Sequence, residues 1–349
     1  MNGGLSTRTK IAEYQQRLPN EVLSHIFHEA LPPLHDMAPC FDRLDDLSLS
    51  SSLLEAPLLL TKICRQWRDV AVGMPSLWCR LLVIIECGDW QRRAVFYDTW
   101  LKRSQGRPVS LALLWPDFTS DSAKLRNLLQ PYIHQITSLT VDFYDSPLPI
   151  TPNLFTGFIA VEQLSVRIAD DMDDEVSTCI ACSASQLPAL RSFDFEASYR
   201  LGLGDLESFD PMWRSLTKVS LDASTHDSVL YLLQVAPDLS SLTIDTYLGD
   251  EENLKPFMHA KLRFLCLYVD TLSDLLDALS LPSLRTLEVH GLSTWPHDAF
   301  KAFLVRSGCS LESLIVGSAV AIADEQRAEY IGLSPSLQFP GPYDIDFEM

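Results

Sequence analysis

The sequence has no apolar run approaching the roughly 20 uncharged residues that a membrane-spanning helix needs. Its best stretches, Leu58-Leu59-Leu60 and Leu81 to Ile85, are short and closely flanked by polar or charged residues. Met1-Asn2-Gly3-Gly4 carries no apolar signal core, so secretion is not expected. The eight cysteines are spread too widely over 349 residues to suggest a disulfide framework. A reducing compartment, cytoplasm and/or nucleus, is the expectation. Catalytic signatures are missing too: the chain contains no G-x-S-x-G, no H-E-x-x-H and no phosphate loop. Positive charge is scarce over most of the length. Through Arg107, 13 Lys/Arg face 12 Asp/Glu, and afterwards 14 face 34, so nearly all of the net −19 sits in the later part. That part is a poor match for nucleic acid or an anionic membrane.

Two metal-like runs also fall short. Cys179-Ile-Ala-Cys182 has zinc-like spacing but no second pair beside it, and a structural zinc wants four ligands. Asp170-Asp171-Met172-Asp173-Asp174-Glu175 lacks the glycine and the alternation of a calcium loop. No metal and no cofactor are expected. Gly202-Leu203-Gly204 is too short for a nucleotide fingerprint.

What is present is apolar residues, 47% of the chain, enough for a large core. They recur in one frame, apolar-x-x-apolar-x-apolar. Eight copies run from Ile136/Leu139/Val141 to Leu311/Leu314/Val316, with starts 25, 29, 26, 23, 23, 22 and 27 residues apart. The two-residue period of a strand turns the last two apolar positions of each frame inward, and the first anchors the turn before it. A single unit cannot cover its own apolar side, so units must stack. Between frames, helices are expected at 227–236, from a Thr271 cap to Leu279, and at 297–306 with Gly308 as the stop. Residues 108–114 look like an opening strand without the full frame.

This pattern resembles the leucine-rich-repeat family over about two-thirds of the chain. The asparagine that usually follows the strand is absent; Tyr144, Ala169, Ser198, Ser224, Tyr247, Asp270, Leu292 and Ala319 stand there instead. The array is therefore expected to be irregular. The expected class is α/β: an N-terminal three-helix bundle followed by an irregular leucine-rich-repeat solenoid with a curved parallel sheet.

The front third differs. Leu18-Pro19-Asn20-Glu21 opens a helix carrying Val22, Leu23, Ile26 and Phe27 at helical spacing, with Pro19 in the first turn. A long loop, 34–55, precedes a second helix from about Pro57 carrying Ile63, Trp67 and Val70. Leu18-Pro19…Ile26-Phe27, then Cys64-Arg65-x-Trp67-Arg68, then Pro75-Ser76-Leu77-Trp78 resembles an F-box. The spacing from Leu18 to Trp67, 49 positions, exceeds the usual one, and the surplus lies in the 34–55 loop. The resemblance implies docking to the adaptor Skp1, and through it to a cullin–RING ubiquitin ligase, with no catalytic residue in this chain. Leu18, Pro19, Leu23, Ile26, Phe27, Cys64 and Arg65 are the implied Skp1-facing residues, and Trp67 and Trp78 the implied core. The expected organisation is an N-terminal segment (1–16), the F-box (17–80), a linking strand and helix (81–107), repeats (108–338) and a tail (339–349) with no clear capping unit.

Alternate residues of each repeat strand face away from the apolar side. Asp142, Asp194, Glu196, Asp222, Asp245 and Glu288 fall at those positions against Arg167, together with Tyr268 and His290. This face is the expected surface for a target protein, with a basic one suited to it. A solvated acidic face that keeps the array soluble is the competing reading. A repeat scaffold capped by the front helices, with no ligase connection, is the alternative for the whole chain.

Overall fold

The computed structural model describes residues 18–31, 56–85, 90–115, 122–143, 155–168, 174–197, 199–246 and 254–341. The expectations for 1–16, the 34–55 loop, Asp170 to Asp173 and the tail beyond 341 lie outside the described residues, as do Tyr144, Ala169, Ser198 and Tyr247. The protein is α/β and divides into two compact units, one up to Ser146 with Phe158–Ala160, the other comprising Pro147–Gly157 and Val161 onward.

The first unit begins with three short helices, α1 (Asn20–Glu29), α2 (Ala56–Ile63) and α3 (Arg65–Val72). The single long helix expected from Pro57 is broken at Cys64, whose extended backbone (φ −155°, ψ 174°) starts α3 afresh. Its sulfur accepts the Trp67 N–H, satisfying a first-turn donor as an N-cap does. Arg68 Nε donates to the Thr61 carbonyl at 2.9 Å and ties the two helices across the break. A 3-10 turn, Pro75–Trp78, leads to β1 (Arg80–Ile84), α4 (Trp90–Arg103), β2 (Val109–Trp115), α5 (Ser122–Leu129) and β3 (Ile136–Phe143). These three strands pair in parallel, each with the next. The stretch 81–107, expected as a linking strand and helix, holds most of β1 and all of α4.

The second unit contains β4 (Gln163–Ile168), α6 (Asp174–Ala184), β5 (Ser192–Ala197), α7 (Leu203–Ser208), α8 (Asp210–Trp213) and β6 (Lys218–Ala223). It continues through α9 (His226–Val235), β7 (Ser241–Thr246), β8 (Phe257–Met258), β9 (Phe264–Tyr268) and α10 (Ser273–Ala278). Last come β10 (Leu279–Ser280), β11 (Thr286–His290), α11 (His297–Ser307), β12 (Ser313–Val316) and α12 (Asp324–Leu333). Strands β4, β5, β6, β7, β9, β11 and β12 pair in parallel in that order, while β8 and β10 form a separate two-stranded piece.

Each of the eight frames lies on one of the strands, and all eight anchors, from Ile136 and Val161 to Leu284 and Leu311, are fully buried. The inward pairs are buried as well, except that Val316 at the last strand is half-buried. On β5 the inward pair is aromatic: Phe193 and Phe195 pack with Phe209 and Trp213 at centroid distances of 5.6–6.2 Å. Helix α9 lies one residue from its expected span, and α11 ends at Gly308 in the left-handed region (φ 56°) as expected. Thr271 does not cap α10. That helix starts at Ser273 with Leu272 at the cap, because Leu272 is itself drawn into the core.

In place of the absent asparagine ladder, the main chain links successive units. After each anchor in the second unit, one carbonyl accepts two N–H groups from the following unit: Glu162 from Arg191 and Ser192, Arg191 from Thr217 and Lys218, Thr217 from Ser240 and Ser241. The series continues through Ser240, Arg263 and Arg285. It ends where Gln338, beyond α12, donates to Glu312 and bridges to Ser313, so a partial ninth step covers β12.

Buried anchors should dominate stability. Leu262→Ala is expected to cost about 2–5 kcal/mol through lost burial and a residual cavity. Val305→Ala, on an exposed helix position, should stay within about 0.5 kcal/mol. Urea unfolding of both variants at a common m-value checks the contrast.

Candidate functional site

The front helices present two faces. Leu23 and Phe27 are fully buried, with the Phe27 ring 5.0 Å from Trp67. They cannot also face another chain, and their place among the implied Skp1-facing residues is corrected. Ile26 is 40% exposed, Pro19 is exposed and Leu18 is half-buried. Cys64 is half-buried because its sulfur caps α3, and Arg65 is exposed beside Asp69 at 3.9 Å. Apolar residues outside the expected set share this exposure: Val22 at 42% on α1, and Leu59 and Ile63 at 47% and 48% on α2. Val22/Ile26 and Leu59/Ile63 are both i,i+4 pairs, so each helix carries an apolar stripe on its surface.

Trp78 is fully buried. Its indole N–H donates to the Ala71 carbonyl at 2.9 Å, Trp100 packs edge-on at 4.8 Å, and the Arg103 guanidinium lies 4.3 Å over its ring. One side chain thereby joins α3 to α4. Gln66 ties α3 to the start of α1, donating to the Leu18 carbonyl and the Asn20 side chain.

On the outward face of the strands the acidic residues differ among themselves. Asp142 is 1% exposed and Glu288 8%, so neither stands on an open face. In the second unit Ser165 Oγ donates to Asp194 at 2.8 Å, and Arg167 pairs with Glu196 at 3.2 Å on the facing strand position. A second cation, absent from the expected set, is Arg200, which reaches Asp245 at 3.2 Å. A backbone bridge places it: Leu201 N–H donates to the Asp222 carbonyl, and Ser224 N–H to that of Leu201. No frame marks residue 200, so only the fold brings it to the stripe. Asp222 and Asp245 are direct cross-strand partners. Burial first, then the Asp245 charge, push the Asp222 carboxyl up to about 6, with Arg200 opposing. Beyond them Tyr268 is 44% exposed and stacks on the His290 ring at 4.7 Å, while Cys266 is buried beneath. Burial pushes the Cys266 thiol up to about 12, which makes it a poor nucleophile.

Among the described residues no helix is long and apolar enough to cross a membrane. No family model matches the chain, and no curated protein matches it.

Asp222 generates a pH prediction. Its folded value of about 6 stands above the ordinary 3.8, so the folded state holds this proton more tightly than the unfolded chain. Stability therefore falls as pH rises from about 4 to 6 and remains lower above that range. Asp222→Asn should raise unfolding stability at pH 8 by an amount on the order of 1 kcal/mol, allowing for solvent screening of a half-buried group. The gain should vanish at pH 4. Urea midpoints at the two pH values decide it, and an equal effect at both would assign the gain to packing instead of charge.

Proposed function

We propose that this protein is the substrate-recognition subunit of an SCF-type cullin–RING ubiquitin ligase. In this reading the front helices dock on Skp1 and the repeats hold a target protein. The observation that carries it is the apolar surface of α1 and α2. Val22, Ile26, Leu59 and Ile63 are each 40–48% exposed, although Leu23 and Phe27 on the adjoining face of α1 are fully buried. Exposed apolar groups gathered on one short module favour a partner surface. They lie within the same stretch as the Leu18-Pro19, Cys64-Arg65-x-Trp67-Arg68 and Pro75-Ser76-Leu77-Trp78 sequence that resembles an F-box. The burial of Leu23 and Phe27 narrows the docking surface to Leu18, Pro19, Val22, Ile26, Leu59 and Ile63, with Arg65 at its edge.

The work of such a subunit is proximity, not bond chemistry. Holding a target near a recruited conjugating enzyme raises its effective concentration without any catalytic group in this chain. The carboxylates of β5 to β7 supply a face suited to a basic target segment, tempered by Arg167 and Arg200.

The full chain mixed with purified Skp1 should give a complex on size-exclusion chromatography. Ile26→Glu with Ile63→Glu should weaken it at least about 10-fold, or ~1.4 kcal/mol, with circular dichroism and melting temperature unchanged because both positions are exposed. If the unmodified chain forms no complex with Skp1, the ligase reading fails and a repeat scaffold stands in its place.

A further inference from the structure

The parallel register brings together three groups, two of which, Glu288 and His290, belong to the strand face expected to meet a target. Cys266 on β9 is the cross-strand partner of Glu288 on β11, and His290 follows Glu288 on the same face two residues later. The Cys266 sulfur, a Glu288 carboxylate oxygen and a His290 ring nitrogen all lie within 4.8 Å of one another. Glu288 Oε1 is 2.7 Å from His290 Nε2. Among the described residues this is the one such trio of potential metal ligands.

We propose that Cys266, Glu288 and His290 form a three-ligand site for a divalent transition-metal ion, with zinc the best fit. Thiolate, imidazole and carboxylate are the three ligand types zinc accepts. Zinc–ligand bonds of about 2.0–2.3 Å put neighbouring ligand atoms about 3.3–3.7 Å apart. The trio lies within 4.8 Å, and the Glu288–His290 pair, at 2.7 Å, opens slightly to reach that spacing. A deprotonated Cys266 and an ionised Glu288 balance the two positive charges of the ion.

The surroundings are arranged as outer partners of a metal site would be. Tyr268 stacks flat on the His290 ring, with 21° between planes. This contact holds the orientation of a ligand ring, as an outer partner does. Against His290, residue 317, just after β12, is glycine. A Cβ there would sit 3.4 Å from His290 Nδ1, so the glycine leaves the ring room to turn. Past it opens a cleft of about 310 Å³ lined by His290, Gly291, Gly317 and Ser318. Three protein ligands beside an open cleft leave the fourth position to water or to an incoming donor.

The full chain, stripped with a chelator, should bind one equivalent of Co²⁺ with thiolate-to-cobalt charge-transfer absorption, and Zn²⁺ should displace it. Zinc should also raise the melting temperature, as any ligand of the folded state does. Cys266→Ser and His290→Ala should each abolish the charge-transfer band, whereas Cys182→Ser, at an exposed cysteine, should keep it. Tyr268→Ala, which removes the ring stacked on His290, should weaken zinc about 10-fold in competition with a chromophoric chelator. If buried Cys266→Ser does not fold, half-buried His290→Ala gives the same readout. A wild-type chain without the charge-transfer band, or a band that survives His290→Ala, overturns the site.

Discussion

Every step of the second unit hangs on one main-chain oxygen. The carbonyl just after each buried anchor accepts two N–H groups of the following unit, from Glu162 through Arg191, Thr217, Ser240 and Arg263 to Arg285, and that of Glu312 accepts one, from Gln338. A buried polar backbone group without a partner would cost far more than a formed hydrogen bond returns. Each anchor can sit at full burial only because the backbone beside it is satisfied. Residues at the usual asparagine positions are released from the stitching role, which is why Ser224, Asp270, Leu292 and Ala319 can all stand there. Irregularity in sequence is compatible with a regular strand series because regularity is enforced by the main chain.

The repeating frame was readable from the sequence because it expresses two strong constraints at once, a two-residue strand period and an anchor with nowhere else to go. What was not readable depends on single side chains whose partners are far away in sequence. Cys64 breaks a helix whose apolar stripe looks continuous, because a half-buried sulfur competes for a helix-start N–H. Leu272 displaces Thr271 as a cap, burial outweighing a cap hydrogen bond worth about 1 kcal/mol. Arg200 reaches Asp245 across 45 residues through a bridge at Leu201 that no local pattern announces. Leu23 and Phe27 share the amphipathic spacing of Ile26, and helical periodicity alone could not tell which of them the module keeps for itself.

That last distinction governs the front of the molecule. A helix of 10 residues such as α1 is marginal alone, so it must commit part of its apolar surface inward to exist at all. Leu23 and Phe27 are that commitment, through Trp67. Only what remains, Val22 and Ile26, is available to anything outside. Trp78 plays the corresponding part for α3 and α4, which it joins through both a hydrogen bond and an aromatic partner.

On the sheet the same economy runs the other way. Inward positions are so constrained that only Leu, Ile, Val and Phe occupy them in the eight frames, yet the residues between them are free of that demand. Parallel pairing in register stacks those free positions about 4.8 Å apart on neighbouring strands. Chemistry on this face is therefore written by which residues happen to share a register position. Asp222 opposite Asp245 yields a carboxyl pushed toward neutrality. Cys266 opposite Glu288, with His290 one step along, yields a compact donor set of three chemical kinds. Both arise from the same rule, and neither requires any change in the core that holds the strands side by side. A repeat array of this construction can alter what its open face recognises by single substitutions, while stability stays with the anchors and the carbonyls next to them.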